Sequence, residues 1–269
     1  MTLVSIILSA FNAEKSLPEA LESLLAQSHA EWECVACDDG STDGTWKILS
    51  EYAAAHPARF VLLRNVRNLG LAYSLNRCLK ACSGDYVARM DADDISEPGR
   101  LSRELAFLEA HPECALVGSQ MRRFDECGAS SIVSPPEHPT QRDLVGRVPF
   151  FHATIMMRRS AYEALGGYDA TIRRAEDNDL WFRFFALGFR GGNIQAPLYR
   201  YRENLATVKR RSIASRWELM RVQLRGYRQA GFPWWAYLWS VLNFMKAFVP
   251  SRCILLYRRW RCGRNIRQA

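Results

Sequence analysis

Acidic residues are scarce in the last quarter of the chain: residues 200–269 contain only Glu203 and Glu218, against 16 Lys and Arg residues. Residues 1–199 have the opposite balance, with 20 basic and 26 acidic residues. The 269-residue chain carries a formal charge of +8, so the positive excess lies in the C-terminal part, whose own net charge is +14. This concentration of charge predicts a tail that binds an anionic surface, such as phospholipid or nucleic acid.

The N-terminus lacks the basic segment and the small-residue cleavage site of a signal peptide, which predicts a cytoplasmic protein. A hydrophobic fraction of 48% excludes disorder over most of the length. The eight cysteines are expected to be reduced, because the chain is richer in helix and strand patterns than a secreted disulfide scaffold. Cys34 and Cys37 form a C-x-x-C pair, but residues three apart in a strand face opposite sides. Core packing is therefore favoured over a metal or redox site.

Strands alternate with helices near the N-terminus. Apolar runs predict strands at Leu3–Leu8, Trp32–Cys37, Phe60–Leu63 and Tyr86–Met90. An S-x-x-E box at Ser16 and Glu19 predicts a capped first helix, and periodic segments predict further helices at Thr42–Ala55, Leu71–Ala81, Arg100–Ala110 and about Asp177–Leu187. Later segments predict strands at Ala115–Ser119 and Thr154–Met157, and a loop at Ser130–Thr140. Strand and helix alternation predicts an α/β fold with a parallel sheet, whose ligands bind at the carboxyl ends of the strands.

Three acidic residues follow the strand predicted at Tyr86–Met90. Asp91 and Asp93 are one residue apart at the strand end, where they can converge on one divalent cation that also binds diphosphate oxygens. Crowding them with Asp94 has an electrostatic cost that a bound cation would remove. This position favours a metal site over the alternative, an acidic loop that caps a helix.

Two other acidic segments border predicted elements. Asp38–Thr45 follows the second strand, where a carboxylate can accept the N3–H group of a uracil-type base; a tight turn with a helix N-cap is the alternative. Glu176–Asp179 begins a helix, where acids ordinarily complement the helix dipole. A carboxylate that faced the metal site from there would instead act as a general base toward an incoming hydroxyl.

Together these segments resemble glycosyltransferase family 2, a group of inverting enzymes with the GT-A fold. The resemblance covers about residues 3–202 and rests on Val4–Asn12, Asp38–Thr45, Arg67–Ala72, Asp91–Asp94 and Glu176–Trp181. It implies a Rossmann-like nucleotide-binding sheet flanked by helices, with a fused acceptor subdomain. Residues 1–95 would be the nucleotide-sugar-binding half, residues 96–202 the acceptor-binding and catalytic half, and residues 203–269 a basic, aromatic helical tail.

The resemblance also implies roles for individual residues. Asp177 would be the catalytic base, and Asp91 and Asp93 would form a D-x-D motif that binds the nucleotide and Mg²⁺ or Mn²⁺. Asp39 would bind the nucleobase of a nucleotide-sugar donor, and a UDP-sugar is the favoured donor. The residues implied to bind the nucleotide or the donor are Ala10, Phe11, Asn12, Glu14, Asp39, Arg67, Gly70, Asp91 and Ala92.

Two features near the implied site leave alternatives open. His152 lies where related sequences often carry a histidine, so it is a candidate contact to the metal or the acceptor; a packed neutral histidine is the alternative. Many relatives also continue with a histidine after the segment that ends here at Arg202, whereas this chain has Glu203. Arg202 and Lys209 are the candidates to supply a diphosphate contact in its place.

The implied activity is metal-dependent sugar transfer to a lipid-linked or saccharide acceptor in surface polysaccharide or lipopolysaccharide synthesis. One alternative is a sugar-phosphate nucleotidyltransferase, but such enzymes usually carry a Gly-rich, basic signature after the first strand, where this chain has Ser9–Asn12. The other is a non-catalytic membrane scaffold with the same fold. The intact Asp91, Asp93 and Asp177 favour the enzyme.

The segment Phe232–Pro250 is apolar and aromatic, with Ser240, Asn243 and Lys246 as a rough polar stripe. It reaches the length of a spanning helix only if its bounding prolines and a lysine are counted, so we expect a helix that lies on the inner face of the plasma membrane. Arginines between Arg252 and Arg267 would meet anionic lipid. Packing on the catalytic body or on a homodimer partner is the alternative. No nucleic-acid-binding module accompanies the charge, so no nucleic-acid partner is expected.

Overall fold

The computed structural model describes residues 2–124, 130–203 and 213–245. The chain divides into two compact units, Met1–Asn204 and Leu205–Ala269. The roles predicted for Lys209, for Lys246 and for the arginines from Arg252 to Arg267 lie outside the described residues.

The first unit alternates strands and helices, as its sequence pattern predicts. Its strands are β1 (Val4–Ala10), β2 (Trp32–Asp38), β3 (Phe60–Arg64), β4 (Tyr86–Asp91), β5 (Ile95–Ser96), β6 (Cys114–Phe124), β7 (Ser130–Val133), β8 (Met156–Arg158) and β9 (Arg190–Arg202). Its α-helices are α1 (Leu17–Leu25), α2 (Thr45–Ala55), α3 (Leu71–Ala81), α4 (Arg100–Ala110), α5 (Arg159–Leu165) and α6 (Glu176–Ala186). Short 3₁₀ helices lie at Gln141–Leu144 and His152–Thr154.

One sheet joins these strands in the order β3-β2-β1-β4-β8-β6-β9-β5, and β7 pairs with β6. The first four strands in that order are parallel to one another, and β8 is antiparallel to both β4 and β6. In the central strand β1, Ala10 lies opposite Asp38 of β2 and Ser9 lies opposite Asp91 of β4. The acidic ends of β2 and β4 therefore flank the carboxyl end of β1, where parallel sheets bind ligands.

Strand β1 is central because its apolar residues can be buried on both faces of the sheet. Val4, Ile6 and Leu8 are fully buried in the core that includes apolar residues of α1, α2 and α4. Helix α3 packs on β1 and β2, and its buried face includes Leu75 and Cys78. Each fully buried leucine or isoleucine contributes roughly 1.5–3 kcal/mol relative to an exposed one. The apolar run therefore fixes the strand beside which the acidic loops are placed.

The cysteines of the predicted C-x-x-C pair are packed inside β2. Cys34 and Cys37 are both buried free thiols. Cys37 lies within hydrogen-bonding reach of the Cys78 thiol on α3, and burial raises the pKa of the Cys34 thiol. Cys37 and Cys78 fill the space between the sheet and α3, whereas Cys34 belongs to the core on the opposite face of the sheet.

The prediction of a capping box at the start of α1 is wrong. The Ser16 hydroxyl makes no capping hydrogen bond, and it donates instead to the carbonyl oxygen of Ala92 at 3.1 Å. Glu19 forms an ion pair with Arg202 at the end of β9. Both side chains of the expected box thus bind distant segments instead of the helix N-terminus. The local sequence does not reveal these distant partners.

The largest difference from the sequence analysis is β9, a 13-residue strand where no element was predicted. Gly191, Gly192 and Pro197 disfavour a strand locally, and the pairing of β9 with β6 contains register shifts. This pairing extends β6 to Phe124. The loop predicted to begin at Ser130 instead begins with strand β7, which pairs with β6.

The second unit contains the antiparallel helices α7 (Ile213–Gln229) and α8 (Trp234–Met245). Aromatic rings of the two helices pack against each other, with ring centroids 5.5 Å apart for Trp217 and Phe244 and 5.8 Å apart for Tyr227 and Tyr237. Ser240, a member of the polar stripe identified in the sequence, is buried against α7. Within the described part of the chain, every helix falls short of the length and apolar character needed to cross a bilayer.

Candidate active site

The loop after β1 is hydrogen-bonded to the loop after β2. The backbone N–H of Asn12 donates to the Ser41 hydroxyl at 3.0 Å, and the Asn12 side-chain oxygen accepts from the Thr42 N–H at 2.9 Å. The Glu14 carboxylate accepts from the Gly44 N–H at 3.1 Å. Asn12 has a φ of 50°, a left-handed conformation that asparagine tolerates better than most residues. These bonds hold two predicted donor-binding residues, Asn12 and Glu14, in one surface.

Asp39 organises a third loop beside these two. It is buried, its backbone N–H donates to the Ala10 carbonyl at 2.8 Å, and its carboxylate accepts from the Asn65 side chain at 2.6 Å. The backbone N–H groups of Leu69 and Gly70 donate to the same carboxylate, each at 2.9 Å. A carboxylate has about four lone-pair positions, so these three N–H groups leave one position for an N–H or O–H group of a ligand.

Gly40 allows the loops after β2 and β3 to approach closely. Its φ is +73°, and an added Cβ would lie 2.4 Å from the backbone carbonyl carbon of Arg67. Any other residue would push the Arg67 loop away from the end of β2. Arg67 and Phe11, both predicted at the donor, are exposed in these neighbouring loops.

The predicted metal ligands converge at the end of β4. Oxygens of Asp91, Asp93 and Asp94 lie within 4.8 Å of one another. Burial, and then the charges of Asp91 and Asp93, hold the pKa of the Asp94 carboxyl well above its usual range. The Oδ2 atom of Asp94 is buried and has no hydrogen-bond partner. These residues fit a divalent cation, since crowded carboxylate oxygens suit Mg²⁺ or Mn²⁺ and a cation would relieve their repulsion.

Strand β9 positions this acidic group, although no local sequence pattern predicts the strand. The Tyr199 hydroxyl accepts from the Asp91 backbone N–H at 3.1 Å. The backbone N–H of Arg202 donates to Asp94 at 2.8 Å, and its Nε donates to the Asp93 carbonyl at 2.9 Å. Arg202, a candidate diphosphate contact, is therefore bound to the loop that carries the acids.

Arg89 lies beneath the acidic group and was also missed, because it sits within an apolar strand. It is buried, and its two terminal nitrogens donate to the two oxygens of Asp91, one of them at 2.6 Å. Its charge also acts on Glu176 and His152. A charged residue in an otherwise apolar strand, two positions before an acidic loop, was the one signal that could have identified it.

The predicted catalytic base lies in the first turn of α6. Ala175, which precedes the helix, has a φ of 67°. Burial, and then the charge of Asp177, raise the pKa of Glu176 to about 7. Asp177 is half-buried, and its Oδ1 accepts from the backbone N–H of Asn178 at 2.8 Å and from the side chain of Asn178 at 3.1 Å. Its Oδ2 takes neither of these bonds.

His152 is hydrogen-bonded to a tyrosine at the same end of the sheet. Its Nε2 lies 2.8 Å from the Tyr168 hydroxyl, which also lies 3.1 Å from the Tyr162 hydroxyl. Burial, and then the charge of Arg89, hold the pKa of His152 well below its usual range, so the ring is neutral. His152 is not a member of the three-acid group identified among the described residues. Its role as a metal ligand stays a prediction.

These groups form one continuous arrangement. The bond from Ser16 to the Ala92 carbonyl joins the loop after β1 to the acidic loop after β4. The charge of Arg89 acts both on Asp91 in the acidic loop and on Glu176 at the start of α6. The fold thus brings the loop network around Asp39 and the three-acid group to the carboxyl end of the parallel strands, with the start of α6 near enough for the Arg89 charge to act on Glu176.

Comparison with known proteins adds family information to this geometry. The family model described as Glycosyl transferase family 2 matches residues 5–166. The chain is similar to the putative glycosyltransferase EpsE of Bacillus subtilis (strain 168), with 42% identity over 260 residues, covering 96% of this chain and 94% of the relative. It is also similar to the amylovoran biosynthesis glycosyltransferase AmsE of Erwinia amylovora, with 31% identity over 269 residues, covering 96% and 99%.

Solved structures share the fold. TarS 1-349 of S. aureus in complex with UDP-GlcNAc superposes with a TM-score of 0.68 at 20% identity, covering 83% of this chain and 66% of that one. The mannosyltransferase PcManGT from Pyrobaculum calidifontis in complex with GDP-Man and Mn²⁺ gives 0.65 at 21% identity, covering 97% and 80%. These likenesses confirm the predicted GT-A fold.

Proposed function

Because the chain belongs to glycosyltransferase family 2, as its motifs predicted, we propose that it transfers a sugar from a nucleotide-sugar to an acceptor hydroxyl with inversion at the anomeric carbon. The observation that carries this proposal is the convergence of Asp91, Asp93 and Asp94 beside the loop network of Asp39. Such an arrangement suits a nucleoside next to a cation-bound diphosphate.

The nucleoside would bind in the cradle of the loops after β1, β2 and β3. Asp39 has one lone-pair position left for the N3–H of a uracil-type base. Phe11 is exposed, so its ring is available to the nucleoside, and Ala10, Asn12 and Glu14 complete this wall. Arg67 and Gly70 would lie near the donor. We favour a UDP-sugar, and the UDP-GlcNAc and GDP-Man bound by the structural neighbours are the first donors to compare.

The cation would be held by Asp91 and Asp93, with the backbone of Ala92 between them. When bound, a divalent cation neutralises charge that develops on a diphosphate leaving group. The chain's own contribution is to hold Asp91 in place, because Tyr199 accepts from its backbone N–H and Arg89 donates to its carboxylate. Mn²⁺ in the structure of PcManGT supports testing that ion first.

Asp177 would take the proton from the acceptor hydroxyl. The hydroxyl oxygen then attacks the anomeric carbon on the face opposite the leaving diphosphate, so the bond to that diphosphate breaks and the configuration inverts. Asn178 fixes one oxygen of Asp177, which leaves the other for the acceptor. An α-linked donor would give a β-linked product.

The base assignment is tested with Asp177→Asn, and Asp179→Asn is the matched control in the same helix turn. Asp179 pairs with Arg183 at 2.8 Å, so its substitution affects a structural ion pair. We expect Asp177→Asn to bind the donor with unchanged affinity and to lose transfer, while Asp179→Asn transfers sugar. Asp93→Ala is expected to lose the metal-dependent part of donor affinity. Unchanged turnover in Asp177→Asn would remove the assignment.

We further propose a lipid-linked or saccharide acceptor in surface polysaccharide or lipopolysaccharide synthesis. The similarity to AmsE, whose name refers to amylovoran biosynthesis, supports this class of acceptor. An enzyme that transfers sugar to such acceptors would act at the inner face of the plasma membrane. Transfer of labelled sugar to lipid extracts and to soluble oligosaccharides distinguishes the two acceptor types.

A further inference from the structure

Helix α8 exposes large apolar side chains and buries the small residues Ala236 and Ser240. Ala236 and Ser240 are buried, and the Ser240 hydroxyl donates to the Gln223 side chain on α7 at 2.8 Å. The exposed residues are all large and apolar: Trp234, Trp235, Leu238, Trp239, Val241, Leu242 and Met245. At about 100° per residue, these seven positions fall within one arc of about 160° on the helix. The polarity of α8 is thus the reverse of a helix that faces water.

An uninterrupted apolar arc of this kind marks an interaction surface, because monomeric proteins rarely leave such patches exposed to water. The 12 residues of α8 span about 18 Å, well short of the roughly 30 Å of a bilayer core. The helix therefore has the length and polarity to lie along a surface. Its tryptophans suit the headgroup level of a membrane, where an amphipathic ring has both apolar and polar surroundings.

The charge of the same hairpin indicates which surface it binds. Arg221, Arg225 and Arg228 are exposed on α7 at positions that repeat every three to four residues, so they form a basic stripe. Glu218 is the sole acidic residue in the sequence from 213 to 245. Two copies of this hairpin brought together would repel each other, whereas an anionic lipid surface would attract both.

We propose that the α7–α8 hairpin binds anionic phospholipid, with the apolar arc of α8 inserted at the headgroup level and the net positive charge of the hairpin attracted to the anionic surface. This binding depends on the second unit alone and not on the transfer chemistry. It would keep the enzyme at the surface on which a lipid-linked acceptor is found.

The test is flotation of the purified full-length chain with vesicles of phosphatidylcholine alone or with added phosphatidylglycerol. We expect binding to the anionic vesicles that weakens as salt rises, since exposed charges are screened. Leu238→Glu combined with Leu242→Glu places two charges in the apolar arc at exposed positions and is expected to lower partitioning at least tenfold. Ile132→Glu is the matched control, because Ile132 is 49% exposed on β7, close to the 48% and 52% of the two leucines.

A second variant tests the basic stripe. Arg221→Gln, Arg225→Gln and Arg228→Gln together are expected to reduce the preference for anionic over neutral vesicles several-fold. Equal partitioning of the double-leucine variant and the wild type would overturn the proposal, as would absence of wild-type binding. A dimer in solution that Leu238→Glu/Leu242→Glu dissociates, without vesicle binding, would assign the arc to a second copy of the chain. Nucleotide titration of the same variants keeps this outcome separate from a failure of the proposed transfer activity.

Discussion

The guanidinium of Arg89 pairs with both carboxylate oxygens of Asp91, and the two side chains differ sharply in exposure. Only 4% of the Arg89 side chain is accessible, against 25% for Asp91. Arg89 therefore holds Asp91 from inside the protein while part of the carboxylate stays open. The acidic group at the end of β4 thus has a fixed positive charge on its own strand.

We expect Arg89→Gln to lower the free energy of unfolding by about 3 kcal/mol, because it leaves the partly buried Asp91 without its cation. Arg89→Lys keeps the charge but cannot donate from two fixed nitrogens, so an intermediate loss is expected. Urea denaturation measures both. Arg159→Gln is the control, since Arg159 pairs with Glu163 at the surface and its loss is expected to cost at most about 1 kcal/mol. Equal losses for Arg89→Gln and Arg159→Gln would contradict a structural role for the buried pair.

Gly40→Ala is expected to disturb the donor cradle through a steric clash. The added Cβ would overlap the backbone of Arg67, whereas Gly166 has a similar φ of +70° with no atom within 4 Å of its Cβ position. Gly166→Ala therefore measures the cost of the left-handed conformation alone, about 1 kcal/mol. We expect Gly40→Ala to cost about 1–3 kcal/mol more and to weaken nucleotide binding. Calorimetric unfolding and nucleotide titration of both variants provide the comparison; matching losses would show that the loops do not need this close approach.

Tyr199→Phe is expected to destabilise the acidic loop. It removes the acceptor for the Asp91 backbone N–H, and an unpaired buried donor costs about 1–3 kcal/mol. The apparent affinity for Mn²⁺ is expected to fall together with stability. Thermal unfolding with and without Mn²⁺ measures both effects. A variant as stable as the wild type, with the same Mn²⁺-induced shift in Tm, would exclude this role for Tyr199.

Glu176 is expected to make stability depend on pH. Its pKa in the folded protein is about 7, above its ordinary value of 4.5, so the folded state holds the proton more tightly than the unfolded state. The contribution of Glu176 to the free energy of unfolding is fully present below about pH 4.5. It is lost as the pH rises through 7, which lowers the free energy of unfolding by up to about 3 kcal/mol. Glu176→Gln cannot ionise, so its stability relative to the wild type is expected to rise from pH 5 to pH 8. Urea denaturation at several pH values tests this, and a constant difference between the two proteins would refute it.

The sequence predicts those parts of the fold whose signals are local. The largely apolar run of β1 and the helical periodicity of α3 and α4 correspond closely to the structure. The acidic segments at the ends of β2 and β4 come together because the neighbours of β1 in a parallel sheet share one carboxyl edge. The strand order therefore brings acidic segments that are far apart in the sequence to one site.

Features that depend on distant pairing could not be predicted in this way. Strand β9 contains glycines and a proline, and it exists because it pairs with β6 across register shifts. Tyr199 and Arg202 consequently reach the acidic loop from more than 100 residues away. Ser16 and Glu19 match a local capping pattern, but they bind distant partners instead of the helix N-terminus. Ser240 likewise turns toward α7 because the other face of α8 is wholly apolar.

Calorimetric titration with UDP, GDP and CDP, each in Mn²⁺ and in EDTA, tests the central claim most directly. We expect one nucleotide, with UDP favoured, to bind tightly in Mn²⁺, and we expect this binding to disappear in EDTA and in Asp93→Ala. Binding of the same strength in EDTA would contradict the role of the acidic group in holding a cation. Failure of the folded protein to bind any of the three would contradict a nucleotide-sugar donor and favour a non-catalytic scaffold.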